Sequence, residues 1–310
     1  MRFLPLFYYP TTVMVLNDDA EFLQTLGGIL NNKNLLSHFN NHQHVLQFFS
    51  TYKPFISTFK FLRGCFEQEN YDDPGHMPVD VDFSHVRQLC EDQRLQTEVS
   101  VLIIDFSMAE MNGLDVCRRL KALPCKKILL TSDESHELAI TAFNEALIDC
   151  YIPKSSSELS QDIYAYIKSL NHTYLIESSK QLSRHLETDY QLPISDPVFI
   201  HFFEEFCESY EIQSYFILDE LGNFLLKDKK GDEYYFIIYT DRTLNQFVEL
   251  YGEDAELREH INEIRWRQKI PFFGEDKVAW QIDMREWGEY LFLPQLLLGR
   301  ETYYWAFIQK

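Results

Sequence analysis

Val101-Leu-Ile-Ile-Asp-Phe-Ser-Met-Ala-Glu-Met-Asn-Gly-Leu-Asp-Val116 is the stretch whose reading decides the fold. With Val99 and Ser100 before it, it opens as an apolar run ending in Asp105, which suits a strand buried on both faces of a parallel sheet. Gly113 to Leu123 supplies the following helix. Upstream, Val13 to Leu16 is a second short apolar run, β-branched at Val13 and Val15, that ends in Asn17-Asp18-Asp19. Behind it Phe22, Leu23, Leu26, Ile29 and Leu30 recur at helical spacing, so a buried strand leads into an amphipathic helix. His44 to Phe49 reads as the next strand and Phe55 to Leu62 as the next helix. Residues 66–97 are polar, contain Pro74, Gly75 and Pro78, and read as an insertion with one short helix around Val86 to Cys90. Downstream, Ile128 to Thr131 is a fourth strand, Glu137 to Asn144 a helix and Cys150 to Pro153 a fifth strand. Alternating strands and helices predict an α/β fold with a doubly wound, five-stranded parallel sheet.

Beyond Lys154, the residues Leu159, Ile163, Ile167, Leu170, Tyr174, Leu182 and Leu186 recur at roughly heptad spacing. They predict either one long helix or two broken near Asn171, the first half packed on the sheet. Leu192-Pro193 and Asp196-Pro197 punctuate the chain as a linker. A separate, smaller α+β domain follows. It comprises a helix over Phe199 to Tyr210, a three-stranded meander through Tyr215–Leu218, Phe224–Leu226 and Tyr234–Tyr239, helices over Leu244–Tyr251 and Ala255–Arg267, and an irregular tail with a final strand at Tyr303–Ile308.

The 310 residues are 45% hydrophobic and 15% aromatic, enough for packed cores in two domains. Lys and Arg number 28 against 48 Asp and Glu, a net charge of −20, which argues against broad binding to nucleic acid or anionic lipid. Cys65, Cys90, Cys117, Cys125, Cys150 and Cys207 show no CxxC pair and read as reduced, mostly buried thiols of a cytoplasmic protein. His38, His42 and His44 read as a polar loop rather than a metal cluster. The opening MRFLPLFYYPTTVMVL has one basic residue and no small-residue cleavage site, so it reads as part of the fold rather than a signal peptide. No run reaches the ~20 apolar residues of a membrane-spanning helix.

In an open α/β sheet, chemistry gathers at the carboxyl ends of the strands. Here those ends carry Asn17-Asp18-Asp19, Asp105, Thr131-Ser132 and Lys154. Carboxylates from neighbouring strands suit Mg²⁺, which takes oxygen ligands and keeps several waters. A hydroxyl and a lysine neutralise the other oxygens of a phosphoryl group in transit. Any one of these residues alone would be a turn, a cap or a solvated charge; four strand ends in this order are a constellation.

The segments VMVLNDD, VLIIDFSMAEMNGLDV, ILLTS and CYIPK resemble the receiver domains of two-component response regulators. The resemblance implies a CheY-like receiver over residues 10–170, a connecting helix and linker over 171–196, and an output domain over 197–310. It implies Asp105 as phosphoacceptor, phosphorylated by a sensor histidine kinase. Mg²⁺ would be held by Asp18, Asp105 and the Ser107 backbone oxygen, with Asn17 or Asp19 reaching it through water. Thr131 and Lys154 would contact the phosphoryl group and Tyr151 would be the switch aromatic. This sequence departs from the family at Asn17, where an acid is usual, at Ala109 and Ser155, where Pro is usual, and at Ala146, where Gly is usual. AFNEALIDCYIPK, SYFILDELGNFLL and GRETYYWAF further resemble the Lqs-type quorum-sensing response regulators.

For the C-terminal domain three classes compete. Its 12 basic against 23 acidic residues over 196–310 and its many aromatics favour an interaction or dimerisation module, with the whole protein forming a phosphorylation-dependent homodimer. A DNA- or nucleotide-binding output regulating transcription is opposed by the charge, and no basic recognition helix is evident. A nuclease-like site would need Asp219, Asp228 and Lys230 together, whereas β-turn chemistry accounts for all three.

Overall fold

The computed structural model describes residues 4–30, 35–54, 62–64, 79–81, 83–132, 136–189, 192–274 and 279–310. In chain order the elements begin β1 (Phe7–Tyr8), β2 (Thr12–Leu16), α1 (Ala20–Leu30), β3 (Leu35–Phe39), α2 (His42–Thr51), β4 (Leu62–Gly64), β5 (Val79–Val81) and α3 (Ser84–Glu91). There follow β6 (Val99–Asp105), α4 (Gly113–Arg119), β7 (Lys126–Thr131), α5 (His136–Asn144), β8 (Cys150–Pro153) and α6 (Leu159–Asp189). The remainder comprises α7 (Pro197–Ser209), β9 (Ile212–Ile217), β10 (Phe224–Asp228), β11 (Glu233–Thr240), α8 (Asp241–Tyr251), α9 (Arg258–Arg265), β12 (Ile270–Pro271), β13 (Leu291–Phe292), β14 (Gln295–Leu298) and β15 (Thr302–Gln309). Two compact units result: Tyr9–Lys60 with Glu91–Lys180, and Met1–Tyr8 with Phe61–Cys90 and Gln181–Lys310.

The first unit is built on a parallel sheet of order β3-β2-β6-β7-β8. Alternate residues of each strand face opposite sides, as the pleat requires. Val13, Val15, Val101, Ile103, Ile128 and Leu130 pack with Leu23 and Leu26 of α1 and Ile163 and Ile167 of α6. Met14, Leu16, Leu102, Ile104 and Leu129 pack with Val45 and Phe49 of α2 and Leu114 and Cys117 of α4. This is the doubly wound sheet expected from the sequence, and its strand order reverses between β2 and β6. The crevice for chemistry opens at such a reversal.

One strand is not where the sequence reading puts it. His44–Phe49 lies in α2, and the strand is Leu35–Phe39. The Asn41 side chain accepts from Gln43 N and caps the helix, while Val45 and Phe49, one turn apart, are buried. The cap outweighs the β-favouring look of the aromatic run. His42 and His44 are therefore helical and His38 lies in β3, rather than in one polar loop. The helix expected over 55–62 falls outside the described residues except for Leu62, which opens β4. Within the expected insertion, the described residues form β5, which pairs antiparallel with β4 just before it, α3 and a 3₁₀ turn over Gln93–Thr97.

Helix α6 is continuous through Asn171. Three polar links spaced three residues apart tie one of its faces to the amino ends of three strands. Thr11 Oγ1 donates to Asn171 Oδ1 (3.0 Å), the Tyr174 hydroxyl donates to the buried Glu98 carboxylate, and Lys126 Nζ donates to Glu177 Oε2 (2.7 Å). Burial and the nearby Glu98 charge push the Tyr174 phenol far above its ordinary value, so it serves as a donor at any physiological pH.

In the second unit an antiparallel sheet runs β1-β9-β10-β11-β15-β14, with β1, from the amino-terminal end of the chain, paired to β9. The meander read from sequence is β9-β10-β11, and the tail described as irregular supplies β12, β13 and β14. One face of the sheet packs aromatics of α7, with Phe203 edge-on to Phe236 at 5.1 Å and Phe236 stacked on Trp305 at 5.3 Å. The other face packs α8 and α9 around Trp287. Asp196, read as linker punctuation, is buried: it caps α7 through Val198 N and accepts from Arg300 N and the Tyr303 hydroxyl. Cys117, Cys125 and Cys150 are buried free thiols, and Cys90 and Cys207 are half-buried. Cys65 lies outside the described residues. Among the described residues no helix is long and apolar enough to cross a membrane.

Ala146 ends α5 at φ +51°, with Ala146 N bonded to Phe143 O and Leu147 N to Ala142 O. This left-handed cap accounts for the glycine usual at that position. Ala146→Gly removes a Cβ penalty larger than the backbone entropy it adds. It is expected to stabilise the unit by about 0.5–1 kcal/mol, read from the urea midpoint at unchanged m-value.

Candidate functional site

The residues singled out at the strand ends are distributed around the β2/β6 reversal. Asp105 ends β6, a strand buried along its whole length, and its side chain is 3% exposed. Its Oδ2 accepts from Lys154 Nζ at 2.7 Å. Lys154 follows the edge strand β8, and its backbone N–H donates to Thr131 O at the end of β7 (2.7 Å), which ties the two strand ends together. Thr131 is fully buried. Tyr151 is half-buried and packs against the α2/α4 side of the sheet.

The loop after Asp105 is held at several points. Phe106 N donates to Leu130 O (2.7 Å), Ser107 N to Asp105 Oδ1 (3.3 Å), Ala109 N to Asp18 Oδ2 (3.1 Å) and Gly113 N to Phe106 O (3.0 Å). Asn112 then caps α4 by accepting from Asp115 N. Asp18, at the end of β2, is thus bonded to the loop that carries Ser107. Asp19 is committed elsewhere: its Oδ1 accepts from Glu21 N and Phe22 N and caps α1.

Asn17 is fully buried, and its Oδ1 accepts from Asp19 N (2.8 Å), while its Nδ2 has no hydrogen-bond partner. An amide N–H cannot ligate a cation, but it can donate to a water or to a phosphoryl oxygen. The Asp18 and Asp105 carboxylates and the Ser107 carbonyl are oxygens of the kind that would hold a metal at these strand ends. Among the described residues no three His, Cys, Asp or Glu side chains gather. Two carboxylates and a carbonyl fit Mg²⁺, a hard ion that leaves much of its shell to water, better than an ion needing an all-protein cage.

Two participants escaped the sequence reading. A Cβ on Gly113 would lie 2.4 Å from the Asp105 carbonyl oxygen, so α4 starts where it does only because residue 113 has no side chain. The Asn112-Gly113 dipeptide was the available signal. The Phe22 ring lies under Lys154 Nζ, 5.0 Å from its centroid, and no local motif announces that contact.

Asp219 and Asp228, considered for a nuclease-like site, are not brought together. Asp219 holds the β9–β10 turn by accepting from Leu221 N, Asn223 N and Asn223 Nδ2, and Asp228 holds the β10–β11 turn by accepting from Lys230 N and Asp232 N. Asp219 precedes β10 and Asp228 ends it, so the length of that five-residue strand, about 16 Å, separates the two turns.

The parallel sheet with helices on both faces is a CheY-like, receiver-type α/β fold, and an antiparallel sheet unit accompanies it. The solved structure of the response regulator LqsR from Legionella pneumophila aligns with 100% of this chain and 91% of its own length, at a TM-score of 0.78 and 23% identity. An adenylate cyclase from Rhodopirellula baltica and a CheY-like receiver protein from Methanospirillum hungatei each align with 56% of this chain and 98% of their own. Their TM-scores are 0.38 and 0.35 and their identities 18% and 16%. No family model and no curated protein matches the sequence.

Gly113→Ala forces its methyl into the Asp105 backbone. It is expected to cost about 1–3 kcal/mol by urea denaturation, because neither β6 nor α4 can retreat without disturbing the buried sheet.

Proposed function

We propose that this protein is a two-component response regulator that accepts a phosphoryl group on Asp105. The observation that carries the reading is the nearly buried Asp105 carboxylate, ion-paired at 2.7 Å with Lys154 at the sheet reversal. An Asp105 carboxylate oxygen attacks the phosphorus of a phosphohistidine on a sensor kinase. The phosphorus–nitrogen bond breaks, and the imidazole nitrogen leaves with its electron pair. Lys154 and the Thr131 hydroxyl neutralise the transferring oxygens, and the orphan Asn17 N–H is available as a further donor. Mg²⁺, held by Asp18, Asp105 and the Ser107 carbonyl, would neutralise charge on the phosphoryl oxygens.

On this reading residues 10–170 are the receiver, 171–196 the connection and 197–310 an output domain that relays by contact rather than by catalysis, in the cytoplasm. Drawing Thr131 inward lets Tyr151 follow and alters the surface of α5, β8 and α6. Ile140, Phe143 and Tyr166 stand 45–57% exposed on these helices, which supports a phosphorylation-dependent homodimer there. Moving an equilibrium from 1:99 to 99:1 takes about 5.5 kcal/mol, within reach of a few charge-assisted hydrogen bonds at roughly 1.5–3 kcal/mol each. The likeness to LqsR along the whole chain supports a role in an Lqs-type quorum-sensing circuit.

Wild-type protein incubated with a small phosphodonor and Mg²⁺ is expected to take up one acid-labile phosphoryl group, and Asp105→Asn none. Asp18→Ala should require more Mg²⁺ and Asn17→Asp less. Light scattering with a phosphoryl analogue should show a raised mass. Acid-stable labelling that survives in Asp105→Asn would refute the assignment.

A further inference from the structure

We infer that Phe22 is a positioning residue for Lys154, an inference that rests on the phosphoacceptor reading of Asp105. Lys154 Nζ lies 5.0 Å from the Phe22 ring centroid while donating to Asp105 Oδ2 at 2.7 Å. The separation is within the range of a cation–π contact. Among the described residues Lys154 makes its ion pair with Asp105 alone, and its side chain is 24% exposed.

A lysine stem is flexible, and a single directional bond does not fix it. Asn17 brings no charge to this end of the sheet, so the negative face of the ring supplies attraction that a carboxylate would otherwise provide. Both the backbone and the ring of Phe22 have support. Asp19 Oδ1 accepts from Phe22 N (3.1 Å), and Phe22 packs against the α1/α6 core. The acid next to the cluster therefore has a task after all: it places the first turn of α1, and with it the ring.

The contact suits the chemistry. When Asp105 becomes an acyl phosphate, Lys154 must exchange a carboxylate oxygen for a phosphoryl oxygen. A hydrogen bond breaks when its acceptor moves, whereas attraction to a ring face falls off gently as the ammonium slides across it. Phe22 keeps the ammonium at the strand ends while its partner changes.

The test separates the ring's electrons from its bulk. Phe22→Leu removes the ring and keeps apolar packing. Pentafluorophenylalanine at position 22 keeps the shape and reverses the quadrupole. Pulsed acylation, read at Lys154 by mass spectrometry against other lysines, reports how firmly the ammonium is held. Both substitutions are expected to raise Lys154 labelling by about 2- to 30-fold and to slow phosphoryl uptake from acetyl phosphate in the same proportion. Lys154 labelling unchanged by the fluorinated ring overturns the inference, whatever the leucine variant does, because packing alone would then account for Phe22. If labelling responds while the wild-type protein takes up no phosphoryl group, the Phe22–Lys154 contact stands and the phosphoacceptor reading falls.

Discussion

The ion pair between Asp105 and Lys154 is the interaction around which the parallel-sheet unit is arranged. A carboxylate left 3% exposed is costly unless a partner meets it. That partner arrives from the far edge of the sheet, two strands away, so β6, β7 and β8 must keep register for it to reach. The register is kept by apolar side chains on both faces and by the Lys154 N–H bond to Thr131 O. Gly113 then lets α4 begin against the Asp105 carbonyl, and Ala109 N brings Asp18 onto the same loop. The charged site and the apolar core are thus mutually dependent. Buried charge demands exact strand ends, and the strand ends exist because the sheet is buried.

The amino ends of the same strands carry a second polar system. Thr11, Glu98 and Lys126 each reach α6, at Asn171, Tyr174 and Glu177. A helix packed on apolar contacts alone can slide or roll by small amounts. Three hydrogen-bonded links along one face fix both its rotation and its height against the sheet. The first two-thirds of α6 therefore moves with the unit it packs on.

The antiparallel unit rests on different physics. Its aromatic face supplies burial with defined ring geometry, and its turns are held by acids: Asp219 and Asp228 in hairpins and Asp196 at the start of α7. These carboxylates are bonded to backbone N–H groups and to neighbouring side chains. Burial alone would raise the Asp196 carboxyl, but donors from Arg300, Val198 and Tyr303 outweigh that and hold it below the usual carboxylate range. Acidic residues that suggested a metal site in one dimension are structural in three.

The sequence by itself determined the α/β class, the strands at Val99–Asp105 and Cys150–Pro153, and the acids and lysine at the strand ends. Those signals are local: unbroken apolar runs mark strands buried on both faces, and polar residues stop them where the chain turns. It misled at His44–Phe49, because strand and helix both accept a short aromatic run and the Asn41 cap that decides between them is one residue. Only tertiary structure decided that Phe7–Tyr8 pairs with β9, that Asp19 caps a helix, and that Phe22 faces Lys154. Each of these depends on which segments meet in space, and pairing partners far apart in sequence leave no periodicity in the chain to be read.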